Sequence, residues 1–248
     1  MKTILITGAS SGIGKATAEL LQNDYKLILC GRNSEALELL KNNAPYPENI
    51  HISIFDVRNK EAISQAINSL PPSFKTIDIL INNAGNAHGL ATFDQADLDD
   101  LEAMIDINIK GVIYVTKAVL PLMPINAASI IINISSIAGK SVYMNGTTYC
   151  ASKFAVEAFT QGLRMDLSSK GIRVTSIAPG AVATNFSLVR YKGDQEKASK
   201  VYEGFEPLLA IDVANSIQFV IQQPEHVQLA DITILPKAQA GAQLITKK

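Results

Sequence analysis

Short apolar runs rich in Ile, Leu and Val recur at Thr3–Thr7, Lys26–Cys30, Ile50–Phe55, Ile77–Ile81, Ile130–Ile134 and Arg173–Ile177. They are apolar throughout rather than alternating, as expected of strands covered on both faces. Between them lie stretches long enough for crossover helices: Gly14–Asn23, Ser34–Asn42, Lys60–Ser69, Leu98–Val119 and Thr148–Ser169. A further helix is expected near Ile211–Gln222 and a last strand at Asp231–Leu235. Strand–helix alternation of this kind predicts an α/β fold, a parallel sheet with helices on both sides.

No linker, internal repeat or low-complexity tract interrupts the alternation, so one domain over residues 1–248 is expected. Pro71-Pro72, Pro121 and Pro124 mark loops after helices. The stretch 185–207 breaks the rhythm. It is polar and charged, follows a strand end, and reads as a helical flap over a ligand crevice.

Composition narrows the function. With 47% apolar and 18% charged residues, the chain can bury a core and is not intrinsically disordered. A net charge of −1 argues against nucleic acid or an anionic membrane as partner. Two distant cysteines, Cys30 and Cys150, and three scattered histidines, His51, His88 and His226, predict neither a disulfide framework nor a metal site. The start M-K-T-I-L-I-T-G is too short an apolar run for a secretory leader. No apolar stretch approaches the roughly 18–20 residues of a membrane span. A soluble protein of a reducing compartment, most simply the cytoplasm, is expected.

Thr7-Gly8-Ala9-Ser10-Ser11-Gly12-Ile13-Gly14 joins the first strand to the first helix. Glycines let backbone approach a pyrophosphate, and the helix amino end adds free N–H groups. In this position the turn predicts dinucleotide binding, and the fold becomes a Rossmann-type doubly wound parallel sheet of about seven strands. The next strand runs into Gly31-Arg32-Asn33. No carboxylate stands there to hold a ribose 2′-hydroxyl, and Arg32 offers a guanidinium to a 2′-phosphate, which points to NADP. A solvated loop arginine is the alternative.

Tyr149-Cys150-Ala151-Ser152-Lys153 places a phenol and an ammonium one helical turn apart. Alone the pair is weakly specific. Ser136 at the end of a predicted strand and Asn108 in the preceding long helix make it informative. Interconverting a carbonyl and an alcohol needs a proton donor or acceptor at oxygen. A phenol of pKa about 10 does this near neutrality only if nearby positive charge favours phenolate. Lys153 supplies such a charge.

The G-x-x-x-G-x-G spacing, Asn82-Asn83-Ala84-Gly85, Tyr149-x-x-x-Lys153 and Pro179-Gly180-Ala181-Val182-Ala183-Thr184 together resemble the short-chain dehydrogenase/reductase family. The resemblance implies a catalytic set of Asn108, Ser136, Tyr149 and Lys153. Ser136 polarises the substrate oxygen, Lys153 also holds the nicotinamide ribose, and Asn108 anchors a water that relays protons. It implies cofactor contacts from Gly8, Ser10, Ser11, Gly12, Ile13 and Gly14 at the turn, and from Arg32 and Asn33 after the second strand. Asp56 and Val57 would meet the adenine, although Asp56 reads equally as a turn residue. Asn83, Ala84 and Gly85 pass close to the cofactor. Tyr149, Lys153, Pro179, Gly180, Val182 and Thr184 flank the nicotinamide end. The family's NADP users often carry a basic residue before the middle glycine, where this chain has Ser11. A homotetramer is implied by resemblance alone.

Asn82–Gly89 and Ser187–Asp194 are similar to the NADP-dependent serine/3-hydroxy acid (L-allo-threonine) dehydrogenase branch. The implied substrates are serine, allo-threonine and 3-hydroxypropionate-type acids or their semialdehydes. Substrate contacts are expected from Ser136, Tyr149 and Arg190, the last forking two hydrogen bonds to the carboxylate. The alternative for Arg190 is an exposed pair with Asp194 or Glu196. A broad carbonyl reductase and a non-catalytic NADP(H) sensor are the competing functions. Cys150 is expected to be a packed thiol, Ser135 to face the other side of its strand, and His88 to sit on a surface loop rather than in the pocket.

Overall fold

The computed structural model describes residues 1–247. Strand β1 (Thr3–Thr7) leads into helix α1 (Gly12–Leu21), followed by β2 (Lys26–Gly31), α2 (Ser34–Asn42), β3 (Ile50–Ile54) and α3 (Lys60–Asn68). Then come β4 (Ile79–Asn82), α4 (Leu98–Ile105), α5 (Gly111–Val119), β5 (Ile130–Ile134), α6 (Thr147–Leu167) and β6 (Arg173–Pro179). The chain ends through β7 (Val182–Ala183), α7 (Phe186–Arg190), α8 (Gln195–Lys200), β8 (Leu208–Leu209), α9 (Ala210–Ile221) and β9 (Asp231–Ile234).

Seven strands form one parallel sheet in the order β3-β2-β1-β4-β5-β6-β9. Alternate residues of each inner strand feed opposite faces. Ile4, Ile6, Leu27, Leu29, Ile79, Ile81, Ile130 and Ile132 pack with Leu21 of α1, Leu37 of α2 and Ile217 of α9. Leu5, Ile28, Leu80 and Ile131 face Ile63 of α3, Val115 of α5 and Leu167 of α6. Burying each such side chain contributes roughly 1.5–3 kcal/mol. This two-faced burial is why the strands read as continuous apolar runs.

Two departures from the sequence reading, and one agreement over 185–207, bear on the site. The expected helix Leu98–Val119 is broken by a π-helical turn at Asp106–Lys110, which contains Asn108. The stretch 185–207 holds two short helices, α7 and α8. Beside them β7 and β8 form a small parallel pair that periodicity did not suggest, each strand being two residues long. No helix among the described residues is long and apolar enough to cross a membrane.

Candidate active site

Strand order reverses between β1 and β4, so the carboxyl ends of these strands diverge into a crevice. A cleft of about 690 Å³ opens there. Its floor is stitched by Thr7, whose hydroxyl accepts the N–H groups of Asn83 and Ala84, both at 3.0 Å. Asn83 returns a hydrogen bond from Nδ2 to the Thr7 carbonyl at 2.9 Å. The glycine turn lines one wall through Gly8, Ser10, Ser11, Gly12 and Ile13. Gly8 has φ +67°, a conformation glycine adopts without strain. Ser11 caps α1 without a side-chain hydrogen bond, and the first turn carries no acid. The helix therefore presents free N–H groups and a partial positive charge to an anion. Gly14 stands directly behind this wall. A Cβ on it would stand 2.4 Å from the Gly8 carbonyl oxygen, so it serves close packing of helix against turn.

At the other side of the turn Arg32, Asn33, Asp56 and Val57 line the cleft. Asn33 Oδ1 accepts the Ala36 N–H at 3.0 Å and caps α2. Asp56 is gripped by Arg58 through Nε at 3.0 Å and Nη2 at 2.7 Å, with Arg32 Nη1 at 3.6 Å. The Arg58 hydrogen bond, more than the more distant Arg32, holds the Asp56 carboxyl below its usual range. The carboxylate is thus a turn anchor as well as a cleft residue. Two guanidinium groups face one carboxylate, which leaves a net positive charge at the end of β2. That charge, with no acid on β2 itself, fits a 2′-phosphate. Arg58 was missed in the sequence. Its signal was its place two residues after Asp56.

Helix α6 brings Tyr149 and Lys153 to the opposite wall, both buried. Lys153 Nζ donates to the Ile134 carbonyl at 3.1 Å and lies 5.9 Å from the Tyr149 ring centroid. Burial lowers its pKa to about 8, opposed by Glu157 one turn further along α6. Burial also pushes the Tyr149 phenol well above its usual value, reinforced by Tyr143. A hydrogen bond with Ser136 and the charge of Arg190 act in the other direction. The Lys153 charge, expected to favour phenolate, is not what sets the direction of the phenol here. Desolvation outweighs it, because both groups are enclosed and the lysine gives up charge for the same reason. Ser136 follows β5 by two residues and its hydroxyl accepts the Ala138 N–H at 3.1 Å, fixing the turn that carries it.

Asn108 does not line the cleft. Its amide accepts from the Asn86 N–H and donates to the Asn86 carbonyl, each at 2.8 Å, and also donates to Ser152 Oγ at 3.0 Å. A Cβ on Gly85 would lie 3.2 Å from Asn108 Oδ1 and 3.3 Å from Lys153 Nζ, so the two side chains converge on this glycine. Asn83, Ala84 and Gly85 line the cleft above it, and Pro179, Gly180, Val182 and Thr184 close the far end.

Arg190 reaches the cleft from α7. Its Nη2 donates to the Tyr143 hydroxyl at 2.8 Å and its Nε to the Gly89 carbonyl at 3.2 Å. Its guanidinium carbon lies 5.6 Å from the Tyr149 ring centroid. Neither Asp194 nor Glu196 pairs with it among the described residues; those acids pair with Lys197 and Lys200. Sequence reasoning missed Tyr143, Phe186, whose ring is 5.7 Å from that of Tyr149, and Gln239 near the carboxyl end. Gln239 Oε1 accepts the Ala181 N–H at 2.8 Å. Only the neighbourhood of Tyr143 to Tyr149 offered a signal; Gln239 arrives by tertiary folding. Ser135 is buried and its hydroxyl meets the Lys153 carbonyl at 3.5 Å. Cys150 is fully buried and its thiol pKa is raised by burial. His88 is half-buried and lines a second cavity rather than open surface.

Comparison with known proteins agrees with this geometry. The short chain dehydrogenase family matches residues 2–194. A serine 3-dehydrogenase of Rhizobium radiobacter is 43% identical over 97% of this chain and 96% of its own length. An NADP-dependent 3-hydroxy acid dehydrogenase of Schizosaccharomyces pombe is 40% identical over 100% of this chain and 97% of its own. A solved serine dehydrogenase complexed with NADP+ is 40% identical, superimposes with a TM-score of 0.93 and covers 99% of both chains. A glycine turn, a buried Tyr-x-x-x-Lys helix and a strand-end serine around one crevice, in a chain of this similarity, mean that it belongs to the short-chain dehydrogenase family.

Proposed function

We propose that this chain is an NADP-dependent oxidoreductase acting on short 3-hydroxy acids of the serine, allo-threonine and 3-hydroxypropionate type, or on their semialdehydes. The observation that carries the reading is Arg190. It lies beside the Tyr149 ring and inside the cleft, where a carboxylate two carbons from a reacting hydroxyl would find it. Two of its N–H groups are engaged by Tyr143 and Gly89, and the rest remain for a fork to carboxylate oxygens.

When bound, NADP takes a hydride from the substrate carbon or returns one to the carbonyl. The turn residues Gly8, Ser10, Ser11, Gly12 and Ile13 hold the pyrophosphate, and Arg32 with Asn33 the 2′-phosphate. Asp56 and Val57 flank the adenine. Asn83, Ala84 and Gly85 line the middle, and Pro179, Gly180, Val182 and Thr184 the nicotinamide end. Tyr149 gives its proton to the substrate oxygen in reduction and receives it in oxidation. Burial keeps the phenol protonated, the form reduction requires. Ser136 donates to the same oxygen, and Lys153 holds the ribose. The Asn108 amide is committed to Asn86 and Ser152.

The motifs run through a single domain, and helices 186–190 and 195–200 form the flap at its substrate mouth. A cytoplasmic homotetramer is proposed on family resemblance, with Ile113 of α5 and Phe154 and Met165 of α6 exposed on the helices that would pack between subunits. Light scattering at micromolar concentration tests the tetramer. The functional test is an NADP+ reduction screen over serine, allo-threonine, 3-hydroxypropionate, 3-hydroxyisobutyrate and a neutral secondary alcohol of similar size, repeated with NAD+. Faster turnover of the acids than of the alcohol is expected, with NADP+ preferred. Equal rates would favour a broad carbonyl reductase, and tight NADPH binding without turnover a sensor.

A further inference from the structure

A second cavity, of about 300 Å³, opens behind the substrate end of the cleft. Tyr149, Arg190 and Leu90 line both spaces, so the cavity begins between the phenol and the guanidinium. Two polar atoms buried around it have no hydrogen-bond partner among the described residues, His88 Nε2 and Asn145 Oδ1. Orphaned buried polar atoms are rare, and two on one cavity call for a ligand group that satisfies them. Asn145 is also held at φ +65°, a left-handed conformation that non-glycine residues seldom adopt and that clusters at ligand sites.

The chemistry of the missing group follows from charge. Burial lowers the His88 pKa, so the imidazole is neutral near pH 7 and offers a lone pair. The Asn145 carbonyl oxygen is an acceptor. Asp97 and Asp100 line the same cavity and share one cation, Lys192, at 3.9 and 2.9 Å. Arg190, the other cation of the lining, is taken by the substrate carboxylate, which leaves two carboxylates against one ammonium around the rest of the ligand. Acceptors in a negative surround suit a cationic donor.

The position of that donor follows from the proposed substrate, on which this inference rests. In a 3-hydroxy acid, carbon 2 lies between the hydroxyl carbon, assigned to Tyr149, and the carboxylate, assigned to Arg190. A substituent on carbon 2 therefore emerges between those two residues, where the cavity opens. In serine and allo-threonine it is an ammonium, in 3-hydroxyisobutyrate a methyl, and in 3-hydroxypropionate a hydrogen.

We propose that this cavity is the 2-amino subsite, with His88 Nε2 and Asn145 Oδ1 as the acceptors that select amino acids over unsubstituted 3-hydroxy acids. The test is the ratio of kcat/KM for L-serine to that for 3-hydroxypropionate, with NADP+ saturating. His88→Leu and Asn145→Gly each remove one acceptor, and glycine keeps the positive φ. Each is expected to lower the ratio at least about ten-fold, the size of one lost hydrogen bond to a charged group. Asn145→Asp adds a charge at the same place and is expected to raise the ratio, which guards against a variant that merely folds badly. If the ratio stays within two-fold in all three variants while both acids are oxidised, the amino subsite is overturned and the 3-hydroxy acid reading stands. If the wild type oxidises neither acid, both fall together.

Discussion

The guanidinium of Arg190 and the hydroxyl of Tyr143 meet at 2.8 Å, with the guanidinium carbon 5.4 Å from the Tyr143 ring centroid. This contact holds a cation from α7 against the loop that precedes α6, beside the proposed proton donor. Tyr143 and the Gly89 carbonyl together fix the guanidinium at the cleft wall. Arg190→Ala is expected to raise KM for L-serine ten-fold or more, roughly the loss of a charge-assisted fork. NADPH affinity, measured by fluorescence titration, should be preserved. Unchanged serine kinetics would dispose of the carboxylate clamp.

Tyr149→Phe removes the one hydroxyl able to exchange a proton with the substrate oxygen while leaving the ring contact with Phe186. Turnover is expected to fall by at least about two orders of magnitude, the usual contribution of a positioned acid or base. NADPH should still bind. Substantial residual turnover would mean that the acid and base lie elsewhere.

Arg32 is exposed on its side of the cleft and shares Asp56 with Arg58. Arg32→Ala is expected to raise KM for NADP+ about ten-fold or more while changing that for NAD+ little, since only the former carries a 2′-phosphate. A parallel change for both cofactors would assign Arg32 to turn stability instead.

Lys153 couples function to stability. Its pKa falls from 10.5 in the open chain to about 8 when buried. Below pH 8 both states hold the proton and the native state bears the full cost of an enclosed charge. Between pH 8 and 10.5 the unfolded state binds more protons, so stability rises with pH as this cost is relieved. Lys153→Met is therefore expected to be inactive yet more stable than wild type at pH 7, by on the order of 3 kcal/mol. The advantage should shrink across pH 8–10.5 in denaturant titrations. A variant less stable than wild type at pH 7 would show that the Ile134 carbonyl bond offsets the burial cost.

What the sequence determined by itself is the part of the protein governed by local pattern. Continuous apolar runs specify strands covered on both faces, and the glycine turn, Asn82–Gly85 and Tyr149-x-x-x-Lys153 lie within single strand–helix units whose geometry is set by neighbours in the chain. Strand order then places their ends along one crevice, so most expected cofactor residues line it. Tertiary structure decided what depends on distant segments meeting. It packed Gly14 against the Gly8 carbonyl, and it committed the Asn108 amide to Asn86 through a π-helical turn that periodicity does not reveal. It also brought Arg58 onto Asp56, seated Arg190 on Tyr143, and enclosed Tyr149 and Lys153 enough to move both pKa values against their charged forms. Spacing along a chain fixes which side chains share a helix face. Only packing fixes how much water is left around them, and that sets the energy of a buried charge.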